Sequence, residues 1–458
     1  MLTDRVVKIR DRALRTRHTG DPRAGGLWQE SLEQTEGEPQ MVRDAKALAH
    51  YYRHQDVTIR EGELLVGAPP GLTTDPEVIT PAVFGRRDWE PPTGYWPVPE
   101  ETHAFWRAGM LSPAGNHTTL DYETVFAVGF SGLIDRIDER MARLAEGEDE
   151  QRQFLQGLRI IAEGFVDLSN RYADEAERLA ASEPDLQRAA ELRTIAANCR
   201  RVPAQPPRTF WEACQCAWFA FFFLPDAPGR VDQYLAPACA AEVEAGTLDR
   251  DLAKELLCCL WVKYFESVGA TSGVSAHNHL TLGGLRPDGS DGSSEVTMLC
   301  LEVVEELKLL RPQVGVRWHR ELPGEVLAQA VRALRSGTAS PDFCSDEQIV
   351  PALTRIGVAV EDARDFSLSG CHEVIVTGKA QMGSVEGFIN MPKILRMTLG
   401  LEPGLEPDAD LAGIESFEGL WRRLEASMDL VAEAAHLSAV GRDQAAAEAP
   451  GGNLAASL

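Results

Sequence analysis

Between residues 122 and 144, and again between 150 and 181, apolar side chains recur every three or four positions, which predicts two long amphipathic helices. From residue 206 the pattern changes. Residues 209–224 are apolar almost throughout, so this helix is expected to be buried on all sides. Residues 249–265 form a second such helix behind Asp249, whose side chain suits a helix start. Residues 1–55 read as helices separated by Gly25-Gly26, and 59–67 as a turn leading into a short strand closed by Pro69-Pro70-Gly71.

Farther on, short strand-like runs alternate with helical ones: strand 277–284 ending at Gly283-Gly284, helix 293–310, strand 313–318, helix 323–336, then a strand over 366–368. This order predicts an α/β fold in which a parallel sheet is covered by helices, with working loops at the carboxyl ends of its strands. Helical spacing resumes over 388–399, with Pro392 in the first turns. The proline-rich stretch 89–99 reads as an ordered surface excursion, since Trp89, Tyr95 and Trp96 are costly to leave in water.

Charge narrows the class. The 458 residues carry 45 lysines and arginines against 70 acidic residues, a net charge of −25. That excess argues against nucleic acid and anionic membrane surfaces as partners. Nine cysteines, an odd number set mostly in apolar helical contexts, fit reduced thiols rather than a disulfide framework. The most apolar run, 217–224, is eight residues long and stops at Pro225, against the roughly 18 needed to span a bilayer. The charged beginning shows no signal-peptide pattern, and the expectation is a soluble cytoplasmic protein.

Candidate chemistry concentrates at Ser369-Gly370-Cys371-His372-Glu373, where a glycine permits a sharp bend just before a thiol and a carboxylate follows two positions on. Cys371 reads as a catalytic thiol or as a buried structural one, and Glu373 as a proton acceptor or a salt-bridged loop carboxylate. A cysteine–histidine nucleophile pair is disfavoured, because adjacent residues on an extended loop point apart. His277 and His279 would share one strand face, the spacing of a metal pair, yet no third ligand stands out nearby, so both read as pocket or core histidines and no metal is expected.

Several separated stretches together resemble the glycyl radical enzymes, the family of pyruvate formate-lyase and the radical dehydratases and lyases. They are residues 59–67; Gly115-Asn116-His117 with Asp121-Tyr122-Glu123; Thr209-Phe210-Trp211-Glu212-Ala213; Gly229-Arg230-Val231-Asp232-Gln233-Tyr234; Leu280-Thr281-Leu282-Gly283-Gly284; Asp346-Glu347 with Pro351-Ala352-Leu353; residues 361–365; and Gly370-Cys371-His372-Glu373. The resemblance implies a ten-stranded α/β barrel of two parallel half-barrels with the cysteine loop at its centre. On that reading residues 1–205 are a helical N-terminal part, and 206–458 hold the first half-barrel, the cysteine loop and the start of the second. It also implies a glycine loop of the Arg-Val-x-Gly-Tyr type, which these 458 residues do not contain; the expectation is a fragment or a split subunit.

The implied chemistry is a 1,2-elimination, as in a dehydratase, or a decarboxylation of a small hydroxylated or carboxylated substrate. A Cys371 thiyl radical would move the hydrogen atom and Glu373 the proton, while His117, Phe343, His372 and Glu386 would line the substrate. The resemblance implies no cofactor bound by this chain. It implies instead a glycyl radical installed by a radical S-adenosylmethionine activase, and a homodimer in the complete enzyme, with a separate glycyl-radical subunit as a further partner. The glycine-histidine-serine segment of several dehydratases is replaced by Leu224-Pro225-Asp226-Ala227-Pro228, which sets the pocket apart from that of glycerol dehydratase. Formate C-acetyltransferase-like acyl transfer is disfavoured, since pyruvate formate-lyase pairs two adjacent cysteines and Cys371 stands between Gly370 and His372. A catalytically silent homologue acting as a binding module and a radical-independent thiol enzyme are the competing readings.

Overall fold

A computed structural model describes residues 1–18, 20–75, 102–113, 117–268, 278–370, 372–380, 387–402 and 414–448. The chain divides into two compact units, Met1–Pro81 with His117–Gln381, and Ala82–Asn116 with Met382–Leu458. Among the described residues, no helix is long and apolar enough to cross a membrane.

The first unit carries the long helices that the spacing predicts, Tyr122–Ala142 and Asp149–Ser182. The second of these packs on Gln40–His54 along a seam of small residues, where a Cβ on Gly164 would lie 2.6 Å from that of Ala49. Gly25 and Gly26 do not separate helices; they sit in the first turn of Ala24–Gln34, where exposure to water lets glycine be tolerated.

The apolar helix Phe210–Phe223 lies at the centre of the core, with Phe210, Trp218 and Phe219 fully buried. Thr209 caps it by accepting from the Glu212 backbone N–H at 3.1 Å. Residues 59–67 dock on this helix, and here the expected strand is absent. Their backbone groups are satisfied by side chains instead: Val66 exchanges both of its hydrogen bonds with the amide of Gln215 (2.9 and 2.8 Å), Trp211 donates to the Leu64 carbonyl, and Trp218 donates to that of Gly67. With those partners supplied by a neighbouring helix, no ladder is needed.

The sheet of the first unit has three parallel strands, Leu280–Gly283, Val314–Trp318 and Asp342–Ser345, joined through helices Glu295–Leu307 and Gly324–Ala333. The strand–helix–strand order predicted from the sequence therefore holds over 280–336, whereas the strand predicted over 366–368 pairs antiparallel in a separate hairpin and does not join this sheet. In register, Thr281 faces Gly315 and Gly315 faces Asp342, a row across one face of the sheet. Upon that face sits an antiparallel hairpin, Phe366–Ser369 with Glu373–Val376, in which Ser369 pairs with Glu373. Thr281 Oγ1 accepts from the Leu368 N–H at 2.8 Å. Gly315 leaves the space that the Leu368 side chain fills, for a Cβ there would come within 2.4 Å of Leu368 Cδ1.

Two buried arginines lock this arrangement. Arg317, next but one after Gly315, pairs with Asp346 through two 2.8 Å bonds and donates to the carbonyls of Phe366 and Arg364. Its guanidinium also lies over the Phe366 ring at 3.8 Å. Arg230 donates to the carbonyls of Gly283 and Leu285 and to Asp365, while Asp232 accepts from the Gly283 N–H and the Thr297 hydroxyl. The Gly229-Arg230-Val231-Asp232 stretch is thus a clamp on the carboxyl end of the first strand and on the entry to the hairpin.

In the second unit, Leu111–Pro113 pairs antiparallel with Gly387–Ile389. Helices Met391–Thr398 and Phe417–Glu448 enclose a small core of Trp106, Met110, Ile394, Met397 and Val431. Phe388, read as the start of a helix, belongs to the strand, and the helix begins around Pro392.

Candidate active site

The hairpin on the sheet face turns through residues 369–373. Gly370 has φ +48°, and a Cβ on it would lie 2.4 Å from Glu373 Oε2 and 2.5 Å from His117 Nε2, so both backbone conformation and space demand glycine there. His372 has φ +87°, a conformation that costs a residue with a Cβ, and its N–H donates to the Ser369 carbonyl at 3.0 Å to close the turn. Cys371, between them in sequence, and Glu386 lie outside the described residues, as does His277.

His117 and Asp226 stand on one side of this turn. The His117 segment lies along residues 226–227: Thr119 bridges to Ala227, and the Thr118 N–H donates to Asp226 Oδ2 at 2.5 Å. His117 is buried, with Nδ1 3.3 Å from Asp226 Oδ1 and Nε2 4.0 Å from Glu373 Oε1. Burial pushes the Asp226 carboxyl above its usual range, and the nearby Glu373 charge adds to this, against the Thr118 N–H and His117. One imidazole therefore spans two carboxylates beside Gly370.

On the other side, His372 Nε2 contacts Asp342 Oδ2 at 2.9 Å, and its ring meets that of His279 edge to face with centroids 4.8 Å apart. His279 Nε2 lies 3.6 Å from the same Asp342 oxygen. Phe343 is not part of either group: next to Asp342 along a strand, it projects from the opposite face and is 39% exposed.

Of the residues singled out in the sequence, His117 and Glu373 are thus brought together on one side of the turn, while His372 meets His279 on the other. Asp226 and Asp342 were not anticipated. Asp226 had a signal: it is the one charged group in the segment 224–228 that departs from the dehydratase pattern. Asp342 had none, since its role depends on strand register.

Comparison with known proteins identifies the family. A family model described as pyruvate formate lyase-like matches residues 98–438. The chain is 31% identical over 488 residues to trans-4-hydroxy-L-proline dehydratase of Clostridioides difficile, covering 91% of this chain and 61% of that protein. It is 30% identical over 440 residues to isethionate sulfite-lyase of Desulfovibrio desulfuricans, covering 81% and 53%. Among solved structures, that of 1,2-propanediol dehydration in Roseburia inulinivorans matches with a TM-score of 0.82 at 25% identity, covering 97% of this chain and 64% of that one. The B12-independent glycerol dehydratase of Clostridium butyricum, with glycerol bound, matches with a TM-score of 0.81 at 26% identity, covering 98% and 65%. The chain spans about three fifths of the length of such relatives. Its parallel sheet and hairpin are therefore part of an α/β barrel, and the chain belongs to the pyruvate formate lyase-like family, the glycyl radical enzymes.

Proposed function

We propose that this chain is the thiyl-bearing part of a radical lyase that eliminates a leaving group from the carbon next to a hydroxyl-bearing carbon. The observation that carries the proposal is the approach of Glu373 and Asp226 to opposite nitrogens of the buried His117, directly beside Gly370, which precedes Cys371 in the sequence. A glycyl radical installed by a radical S-adenosylmethionine activase, on a loop of the same protein or of a separate subunit, supplies the radical character that Cys371 uses. Homodimeric assembly belongs to the same reading, as in the sequence resemblance.

In this reading the Cys371 sulfur takes a hydrogen atom from the substrate, forming S–H and leaving a carbon radical. Glu373 takes the proton of the hydroxyl on that carbon. The C–O bond on the neighbouring carbon then breaks, and the departing hydroxide leaves as water with a proton from the His117–Asp226 pair. The Cys371 S–H returns a hydrogen atom to the product radical. The proton held by Glu373 then passes to His117, 4.0 Å away, which resets both groups, and atoms balance: substrate becomes carbonyl product plus water.

Local charge also bears on substrate class. Two carboxylates around one imidazole favour a polyol or a hydroxylated amine over an anion such as a sulfonate. 1,2-Propanediol, whose second hydroxyl is the leaving group on the neighbouring carbon, is therefore the substrate to test first, ahead of isethionate. The assay is anaerobic, with the activase, the glycine loop supplied and substrate deuterated at the hydroxyl-bearing carbon. Cys371→Ala is expected to abolish turnover and deuterium exchange together. Glu373→Gln is expected to lower turnover by about 10²–10⁴-fold while exchange continues. Wild-type turnover in Cys371→Ala would refute the proposal, and substrate-dependent stabilisation without any turnover would favour the binding-module reading.

A further inference from the structure

The His279–Asp342–His372 group stands apart from the proton-transfer residues, and the radical reading does not use it. We propose that these three side chains form a binding site for one divalent transition-metal ion, which ties the cysteine turn to the sheet. Their ligand atoms all lie within 4.8 Å of one another. The separations from Asp342 Oδ2 are 2.9 Å to His372 Nε2 and 3.6 Å to His279 Nε2. Bond lengths of about 2.0–2.2 Å to imidazole and carboxylate place neighbouring donors roughly 3.0–3.5 Å apart, so a small adjustment brings the set onto one ion.

The independent observation is His279. It is fully buried, yet neither ring nitrogen has a hydrogen-bond partner among the described residues, and Asp342 Oδ1 is buried and unpartnered among them as well. Buried polar groups are ordinarily satisfied, and a His372–Asp342 ion pair accounts for the 2.9 Å contact but leaves His279 unexplained. An ion accounts for both. Gly315 borders the group, since a Cβ there would come within 3.1 Å of both Asp342 Oδ1 and His279 Nε2.

Two imidazoles and a carboxylate suit zinc, cobalt, iron or manganese rather than calcium or magnesium. The half-exposed His372 leaves a coordination position open to a further ligand. The sequence signal was incomplete because its ligands come from three places: the approach to the first strand, the start of the third strand and the hairpin turn. This inference does not depend on the radical reading.

The test is a titration of the chelator-treated 458-residue chain with Co²⁺, followed by visible absorption. One ion per chain is expected. His279→Gln and Asp342→Asn should each weaken binding by at least about ten-fold, while Cys371→Ser retains it. Circular dichroism establishes that each variant is folded, and Asp342→Asn, at a partly exposed position, carries the test if His279→Gln does not fold. A thermal midpoint that rises with Co²⁺ in the wild type, and does not in Asp342→Asn, is the second readout. No bound ion in the wild type, equal binding in all variants, or loss of binding only in Cys371→Ser overturns the proposal.

Discussion

Asp226 shows how one side chain links stability to the site. Its carboxyl is pushed upward by burial, whereas in the unfolded chain it titrates near the usual value of about 3.9. Below that value both states hold the proton and the residue is neutral toward folding. As pH rises through the unfolded and then the raised folded value, stability is lost, because the native state resists ionisation. Asp226→Asn, which keeps an acceptor for the Thr118 N–H, should therefore raise the midpoint of denaturant unfolding at pH 7. Near pH 3 it should match the wild type. In the activated enzyme the same substitution should lower turnover, since His117 loses its charged neighbour. A variant no more stable than wild type at pH 7 would contradict the burial argument.

Among elements, the hairpin depends on Arg317. This residue is fully buried, its guanidinium is pulled down to about 10 by burial and the nearby Arg230, and the Asp346 carboxylate opposes that pull. It remains charged at neutral pH, and its bonds to the Phe366 and Arg364 carbonyls hold the hairpin's first strand against the sheet. Arg317→Met leaves Asp346 buried and unpaired, which should cost about 3–5 kcal/mol in urea unfolding. Arg317→Met with Asp346→Leu removes the stranded charge and should recover part of that loss. If the single substitution cost less than about 1 kcal/mol, Arg317 would not be the hairpin's anchor. The 59–67 segment makes the same point differently: its backbone needs are met by Gln215, Trp211 and Trp218, and no strand results.

Across the first unit, distant parts of the chain meet at Glu63. This buried carboxylate contacts Lys263 at 2.7 Å, Arg60 at 2.7 Å and Arg12 at 3.6 Å, and Arg60 also pairs with the buried Glu266. Burial alone would raise the Glu63 carboxyl, but Lys263 and the two arginines outweigh it and hold it at about 2. A depressed folded value means that this stability is present above the unfolded value of about 4.3 and is lost as pH falls toward 2. Glu63→Gln, which strands the Lys263 ammonium, should be much less stable than wild type at pH 7. The gap should narrow steadily between about pH 4.5 and 2. Chemical denaturation at four or five pH values measures this, and a gap independent of pH would rule out the ionic explanation.

Much of this molecule was legible from local pattern. Apolar spacing gave helices 122–142 and 149–182 to within a few residues, Thr209 and Asp249 marked helix starts, and the alternation of short apolar runs with helices indicated the parallel sheet. These features are readable because side-chain direction along a helix or strand repeats every 3.6 or two residues, within the reach of neighbouring positions. Gly370 and Glu373 were legible for a related reason, since a tight turn writes its needs into adjacent residues. Contacts between distant parts were not legible. His117 and Asp226 are 109 residues apart, and Gln215 reaches Val66 across 149. His279, Asp342 and His372 become neighbours only through the register of three strands and the seating of a hairpin on Gly315. Such meetings depend on packing the whole core at once, which no window along the chain contains.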